Sequence, residues 1–377
     1  MTRTGLTQDD VVRLLTDPSG AARAETAGKI AASFDRSAMS ESERKIAEDI
    51  FRLMVRDAEV RVREALAQNL KQNPGLPHEV ALALAKDVDS VAEPILKFSE
   101  VLTDDDLVEI IRTQGPTKQV VVAARSKVSE SVSSALVETH NEAAVQTLVE
   151  NKGAAISEKS LQKVVAEFGK KEGIQAAMVS RPKLPMTVAE RLMTVVSERI
   201  RADLVKRHDL APALADSLLL SSRERAVLGL ASEAEAQDVE ALVAHMRQNK
   251  RLTPSIILRA AVMGDVMFFE AAMAEMAGIS LINVRALIYD QGQLGLQALC
   301  NRAKLPASHY PAIQAAMDVA RETSFDGGER DRERHMRRMI ERVLTQYGDL
   351  GVDMEIDDLE YLLRKLDDLP VLAQSLA

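Results

Sequence analysis

Six histidines are the first residues to test for chemistry, because imidazole both ligates metals and moves protons near neutral pH. They are His78, His140, His208, His245, His309 and His335. No two lie three or four residues apart, so no pair shares a helix face as a helical zinc site requires. The chain has no HExxH, no GxSxG elbow and no GxxxxGK[ST] phosphate loop. Its nearest imitation of the last, QGPTK at Gln114–Lys118, lacks the first glycine and puts proline where backbone donors are needed. It reads as a turn opening a helix, and GQLG at Gly292–Gly295 reads as a turn between helices. The single Cys300, in GLQALCNRA, excludes an intramolecular disulfide and a cysteine-rich zinc site and reads as a buried, inert thiol. Asp353, Glu355, Asp357, Asp358 and Glu360 form an acidic cluster. It lacks the central glycine and closing glutamate of a calcium loop and reads as a solvated helix entry. No catalytic residue, metal or cofactor is expected.

Two charged groups offer binding rather than catalysis. Asp57 with Arg61 and Arg63 matches either an exposed ladder or pairing within the chain, and pairing is favoured. The helix RDRERHMRRMIERVLTQY carries a basic face diluted by Glu329, Asp331, Glu333 and Glu341. Its opposite side is an apolar stripe of Met336, Met339, Ile340, Val343 and Leu344, so it must dock on something. The candidate partner-binding residues are therefore Arg330, Arg334, Met336, Arg337, Met339, Ile340, Val343 and Leu344. Capping the end of the chain's own helical array is the competing and favoured role, because terminal repeats need their apolar surface covered.

Composition says which elements carry these residues. The 377 residues are 46% apolar and 28% charged, the profile of a folded chain. Aromatics are only 3%, with no tryptophan. Ala, Leu, Val, Glu and Arg dominate, a palette that favours helices because most of these side chains lose little freedom there. The amino terminus has no apolar run of signal-peptide length, and no segment reaches the roughly 18 apolar residues of a membrane span. The cytoplasm is the expected location. A net charge of −9 argues against global attraction to nucleic acid or anionic lipid.

One ten-residue pattern recurs along the chain: an apolar residue, then Pro, Thr, Ser or Ala, a mixed stretch, and a mostly apolar closing pair. It starts at Leu76, Leu102, Val128, Ile156, Leu184, Leu210, Leu252, Ile279 and Leu305. Successive starts are 26, 26, 28, 28, 26, 42, 27 and 26 residues apart. Ser or Thr at the second position can cap the free N–H groups of a first turn, and proline fits there for want of an N–H. The preceding apolar residue packs back as a staple. Each start therefore predicts a helix, with Leu107, Ile110, Leu161, Val164, Leu192, Leu287 and Leu299 on buried faces.

Each interval leaves room for a second short helix, as in DAEVRVREALAQN, DSVAEPILKFS, TKQVVVAARSK and NEAAVQTLVEN. Pro94 in the second of these fits either a first turn or a kink. The expected fold is all-α: an α-solenoid of short two-helix, HEAT-like repeats with a helical C-terminal extension. The 42-residue interval and the Gly327-Gly328 break suggest three parts: an N-terminal repeat array over 1–220, a second helical sub-domain over 221–323, and the extension over 324–377.

The stretches LTPSIILRA, GDVMFFEAAMAEMAG, NVRALIYD, QGQLGLQAL and AKLP carry a resemblance. Together they resemble the alphaproteobacterial domain-of-unknown-function family numbered 2336, and LVENKGAAIS and RPKLPMTVAERL extend the likeness upstream. It covers roughly residues 50–320. It implies an all-helical fold and a bacterial role, and brings no catalytic residues to this chain.

The functional expectation is a non-enzymatic protein-interaction scaffold or regulatory adaptor. Its partner would be a protein or, through the C-terminal helices, a second copy. A nucleic-acid-binding repeat protein is the alternative, disfavoured by the missing aromatic stacking residues and the acidic charge. A small-ligand sensor, a second alternative, would need polar groups converging from distant repeats on a pocket that one sequence does not reveal.

Overall fold

A computed structural model describes residues 19–34, 40–208, 212–232, 234–290, 293–322 and 331–346, with Leu363 and Leu366 beyond them. The described residues form twenty α-helices, one short 3₁₀ turn and no strand, so the protein is all-helical. A single parallel bridge joins Val128 to Ala154. No single helix among these residues is long and apolar enough to cross a membrane. The chain divides into two compact units, 1–188 and 189–377. The expected boundary at 220/221 instead falls inside a helix, Pro212–Ser232.

In the first unit the helices are α1 (Gly20–Ser33), α2 (Glu41–Met54), α3 (Val60–Leu70), α4 (His78–Ala85), α5 (Asp89–Phe98) and α6 (Asp104–Thr113). They continue as α7 (Pro116–Ala123), α8 (Glu130–Glu138), α9 (Glu142–Glu150), α10 (Glu158–Phe168) and α11 (Glu172–Val179). Four predicted starts fall here with one offset: His78, Asp104, Glu130 and Glu158 each stand two residues after the apolar residue of the pattern. The cause is local. Thr103 Oγ1 accepts from the Asp106 N–H at 3.2 Å while the Asp106 carboxylate accepts from the Thr103 N–H at 2.7 Å, a capping box. Ser129 and Ser157 cap their helices by the same reach to the third residue. Of the apolar residues that precede these starts, Leu76, Leu102 and Val128 turn back and are buried, and Ile156 is half-buried.

Alternate helices pack together. One row runs α1, α3, α5, α7, α9, α11, and a second runs α6, α8, α10. Leu107, Ile110, Leu161 and Val164 are buried as expected. Pro94 lies inside α5, past its first turn. Asp57 accepts from Arg23 at 2.8 and 3.0 Å, and Arg63 pairs with Asp87, so this charge group is spent within the chain.

The C-terminal carbonyls of the first row are satisfied by side chains from further along. Arg125 donates to the carbonyls of Leu96 and Ser99 at the end of α5. Asn151 donates to those of Ala123 and Arg125 at the end of α7, at 2.8 and 2.7 Å. Arg181 donates to Val149 at 2.8 Å and Ala154 at 3.0 Å after α9. Four carbonyls at each helix end lack intrahelical partners, and a buried unpaired carbonyl is costly, so each staple ties one helix pair to the next. Gly153 makes the turn beside Asn151 tight: a Cβ there would stand 2.0 Å from the Ser126 carbonyl oxygen.

The second unit takes most of α12 (Met186–His208), then α13 (Pro212–Ser232), α14 (Ala236–Gln248), α15 (Pro254–Val262), α16 (Val266–Ala277) and α17 (Leu281–Tyr289). It ends with α18 (Gln293–Arg302), the 3₁₀ turn Ala307–His309, α19 (Tyr310–Glu322) and α20 (Asp331–Gln346). The predicted starts at Leu184, Leu210, Leu252 and Ile279 again lead to helices two residues on. At Leu305 the 3₁₀ turn comes first and α19 follows it. The extra residues of the 42-residue interval are helical, completing α13 and forming α14. Phe268, Phe269, Ile256 and Ile257 fill the centre.

Two expectations need correction here. Leu287 is half-buried, because α17 packs on α16, α18 and α19 through Val284 and Ile288. Gly295 lies inside α18 rather than in an inter-helix turn. A Cβ there would come 2.8 Å from the Leu287 carbonyl oxygen, so the glycine admits α17 rather than bending the chain.

Candidate functional site

The residues proposed for partner binding lie on or beside α20. Met339 and Ile340 are fully buried, with α20 packed on α19 and α15. Arg337, 14% exposed, pairs with Glu341 at 2.9 Å and donates to the Leu366 carbonyl. Leu344 is half-buried. Arg330 lies outside the described residues, as do the side chains of Arg334, Met336 and Val343, the acidic cluster 353–360 and Gly327-Gly328. The part of the stripe that is described faces the chain's own core.

Among the described residues, a set of buried charge lies where the segment before α15 meets α12 and α13. Glu190 and Thr194 come from α12, one turn apart. Arg251 Nη1 lies 3.0 Å from Glu190 Oε2 and donates to Thr194 Oγ1 at 3.1 Å, and its Nη2 is 3.2 Å from His245 Nε2. Beside it, Glu224 of α13 accepts from Thr253 at 2.6 Å and Ser255 at 2.7 Å and pairs with Arg259 at 3.2 Å. Burial pushes the Glu190 carboxyl above its ordinary range, while Arg251 and the Thr194 hydroxyl pull it back. Glu190 is 1% exposed. The seam's chemistry is to hold the 249–253 connection, where Lys250 has a φ of 57°, and the start of α15 onto two helices. Nothing in the local pattern announced it, because its partners are far apart in sequence.

His78 of α4 meets Asp106 of α6 at 2.7 Å, and His140, in the turn after α8, meets Glu167 of α10 at 2.9 Å. Among the described residues, no three of His, Cys, Asp and Glu are grouped to hold a metal ion. Cys300 is buried, which pushes its thiol up to about 11.

A surface cleft of about 410 Å³ opens in the second unit between α14, α16 and α17. It exists because the chain turns by 113° between α16 and α17. Gly278 makes that turn with a left-handed φ of 66°, and both its N–H and that of Ile279 bond to the Ala274 carbonyl. Ala271, Ala274 and Gly278 form a floor of minimal side chains, Ile279 and Leu281 add aliphatic walls, and Glu240 and Glu275 stand exposed at the lining. Behind the cleft, Glu270 is nearly buried within α16 and pairs with Arg285 at 2.7 Å. Ile282 and Leu294, on the neighbouring α17 and α18, are 77% and 78% exposed. Sequence reasoning passed over this place. Its one local signal was GIS after a run of alanines, a helix stop with no bulk beside it.

Comparison with known proteins gives one finding. The family model described as "Uncharacterised protein conserved in bacteria (DUF2336)" matches residues 91–353. No curated protein and no solved structure gives a significant match.

Proposed function

The chain belongs to the DUF2336 family of bacterial proteins, and we propose that it acts as a non-enzymatic protein-interaction scaffold or regulatory adaptor in the cytoplasm. We further propose that its first unit is an α-solenoid of short two-helix repeats. The observation that carries this is the alternating order of packing, in which α3, α5, α7, α9 and α11 follow one another while α6, α8 and α10 form a second row. The staples of Arg125, Asn151 and Arg181, each reaching back one helix pair, support the same reading. Stacked pairs of this kind make extended surfaces suited to holding another chain. The test is affinity purification of the tagged protein from its native bacterium, with the partner's footprint mapped by hydrogen exchange. A stoichiometric protein partner protecting a contiguous set of helices is the expected result. Recovery of the protein alone, or turnover of a small molecule by the purified chain, would sink the scaffold reading.

A further inference from the structure

We propose that the cleft between α14, α16 and α17 is a docking site for a basic, aliphatic-rich peptide segment of the partner. The proposal rests on the scaffold reading above and says which surface recognises what. Three features of the cleft point to that occupant.

First, Ala271, Ala274 and Gly278 put almost no side-chain volume on the floor, so an incoming side chain can lie against the backbone of α16. A space of about 410 Å³ takes a few side chains rather than a domain. Second, the walls from Ile279 and Leu281 are aliphatic, which suits the stems of Lys or Arg and a neighbouring Leu or Val. Third, the charge in the lining is of one sign. Glu240 and Glu275 are exposed, and neither has a hydrogen bond or ion pair with a described residue. Of the nearby cations, Arg285 is paired with Glu270 and also feels the charge of Glu240, and Arg302 donates to the Ala277 carbonyl beside Gly278. Two exposed carboxylates without a hydrogen bond or ion pair, over an apolar floor, favour a cation with an aliphatic stem and repel an acidic segment. The exposed Ile282, next in the chain after Leu281, gives such a segment further apolar surface to cover.

The experiment uses the full chain and a random peptide library displayed on phage, selected on the wild-type protein and counter-selected on Glu240→Lys/Glu275→Lys. The expected enriched sequences carry Lys or Arg beside Leu, Ile or Val. A synthetic peptide of that consensus should lose about tenfold or more in affinity for the double variant and weaken as salt rises. Asp105→Lys/Glu130→Lys changes the net charge equally at exposed positions of the first unit, and it should bind like wild type. Ala274→Met fills the floor without changing charge and should also lose binding, which covers the case in which the double reversal misfolds. No enriched peptide, an acidic or neutral consensus, or equal losses with the first-unit control would each overturn the proposal. So would a concentration-dependent dimer abolished by the double variant, since the occupant would then be a second copy. A native partner whose footprint lies wholly outside α14, α16 and α17 would overturn this inference while leaving the scaffold reading intact.

Discussion

Asn151 offers the sharpest test of how successive helix pairs are joined. Its amide donates to the carbonyls of Ala123 and Arg125 at 2.8 and 2.7 Å, and its oxygen accepts from the Gly153 N–H at 2.9 Å. Asn151→Ala removes all three bonds and leaves the Ala123 carbonyl, on a buried residue, without this donor. At about 1 kcal/mol per hydrogen bond, with some added desolvation penalty, the loss should be about 2–4 kcal/mol. Asn151→Asp keeps the shape and the bond from Gly153 but turns a negative oxygen toward two carbonyl oxygens. It should cost at least as much as alanine, although it is the smaller change in volume. Native-state hydrogen exchange suits a chain of two units, where one global unfolding curve is ill-defined. A loss of about 3 kcal/mol should speed exchange of the α7 and α9 amides on the order of a hundredfold, since each 1.4 kcal/mol is a factor of ten. Protection unchanged in both variants, or Asp milder than Ala, would refute the claim that this side chain is a donor stapling the turn.

Other outcomes follow from the same structure. Gly153→Ala should destabilise the first unit despite an ordinary backbone conformation, because its Cβ meets the Ser126 carbonyl oxygen at 2.0 Å; a thermal melt equal to wild type would contradict this. Met339→Ala should cost about 2–5 kcal/mol as a buried large-to-small change, and deletion from Ser324 onward should lower the melting temperature or cause aggregation. A truncated chain that stays as stable and monodisperse but loses its binding or self-association would instead make α20 a partner surface, and one that changes in neither respect would defeat both readings. Hydrogen bonds from Arg23 hold Asp57 below its ordinary value, so the stability it adds is complete above the unfolded pKa of about 3.9 and is lost as pH falls through the lower folded value. Glu190 is raised by burial, so its sign is opposite: stability should rise as pH falls through its folded pKa toward the unfolded one. Exchange-monitored melts of wild type and Glu190→Gln across that range check this, and the variant should lose the rise.

What the sequence determined by itself was local. A Thr103 hydroxyl capping the N–H of Asp106, or a Ser280 hydroxyl capping that of Asn283, joins residues three apart, so the helix starts could be read without knowing any neighbour. The buried faces of Leu107, Ile110, Leu161, Val164, Leu192 and Leu299 followed from helical periodicity for the same reason. Tertiary structure decided everything that required a second element. It turned Leu287 partly outward because α17 has several neighbours, and it set Gly295 inside a helix so that α18 could approach the Leu287 carbonyl. It also buried Met339 and Ile340 against the chain's own helices, an outcome the apolar stripe allowed without choosing. Arg251 meets Thr194 across 57 residues, and the cleft depends on the direction the chain takes after Gly278. Side-chain spacing encodes which face of a helix is apolar, but the partner for that face is chosen by the closing of the chain on itself, where long-range contacts compete for the same surface.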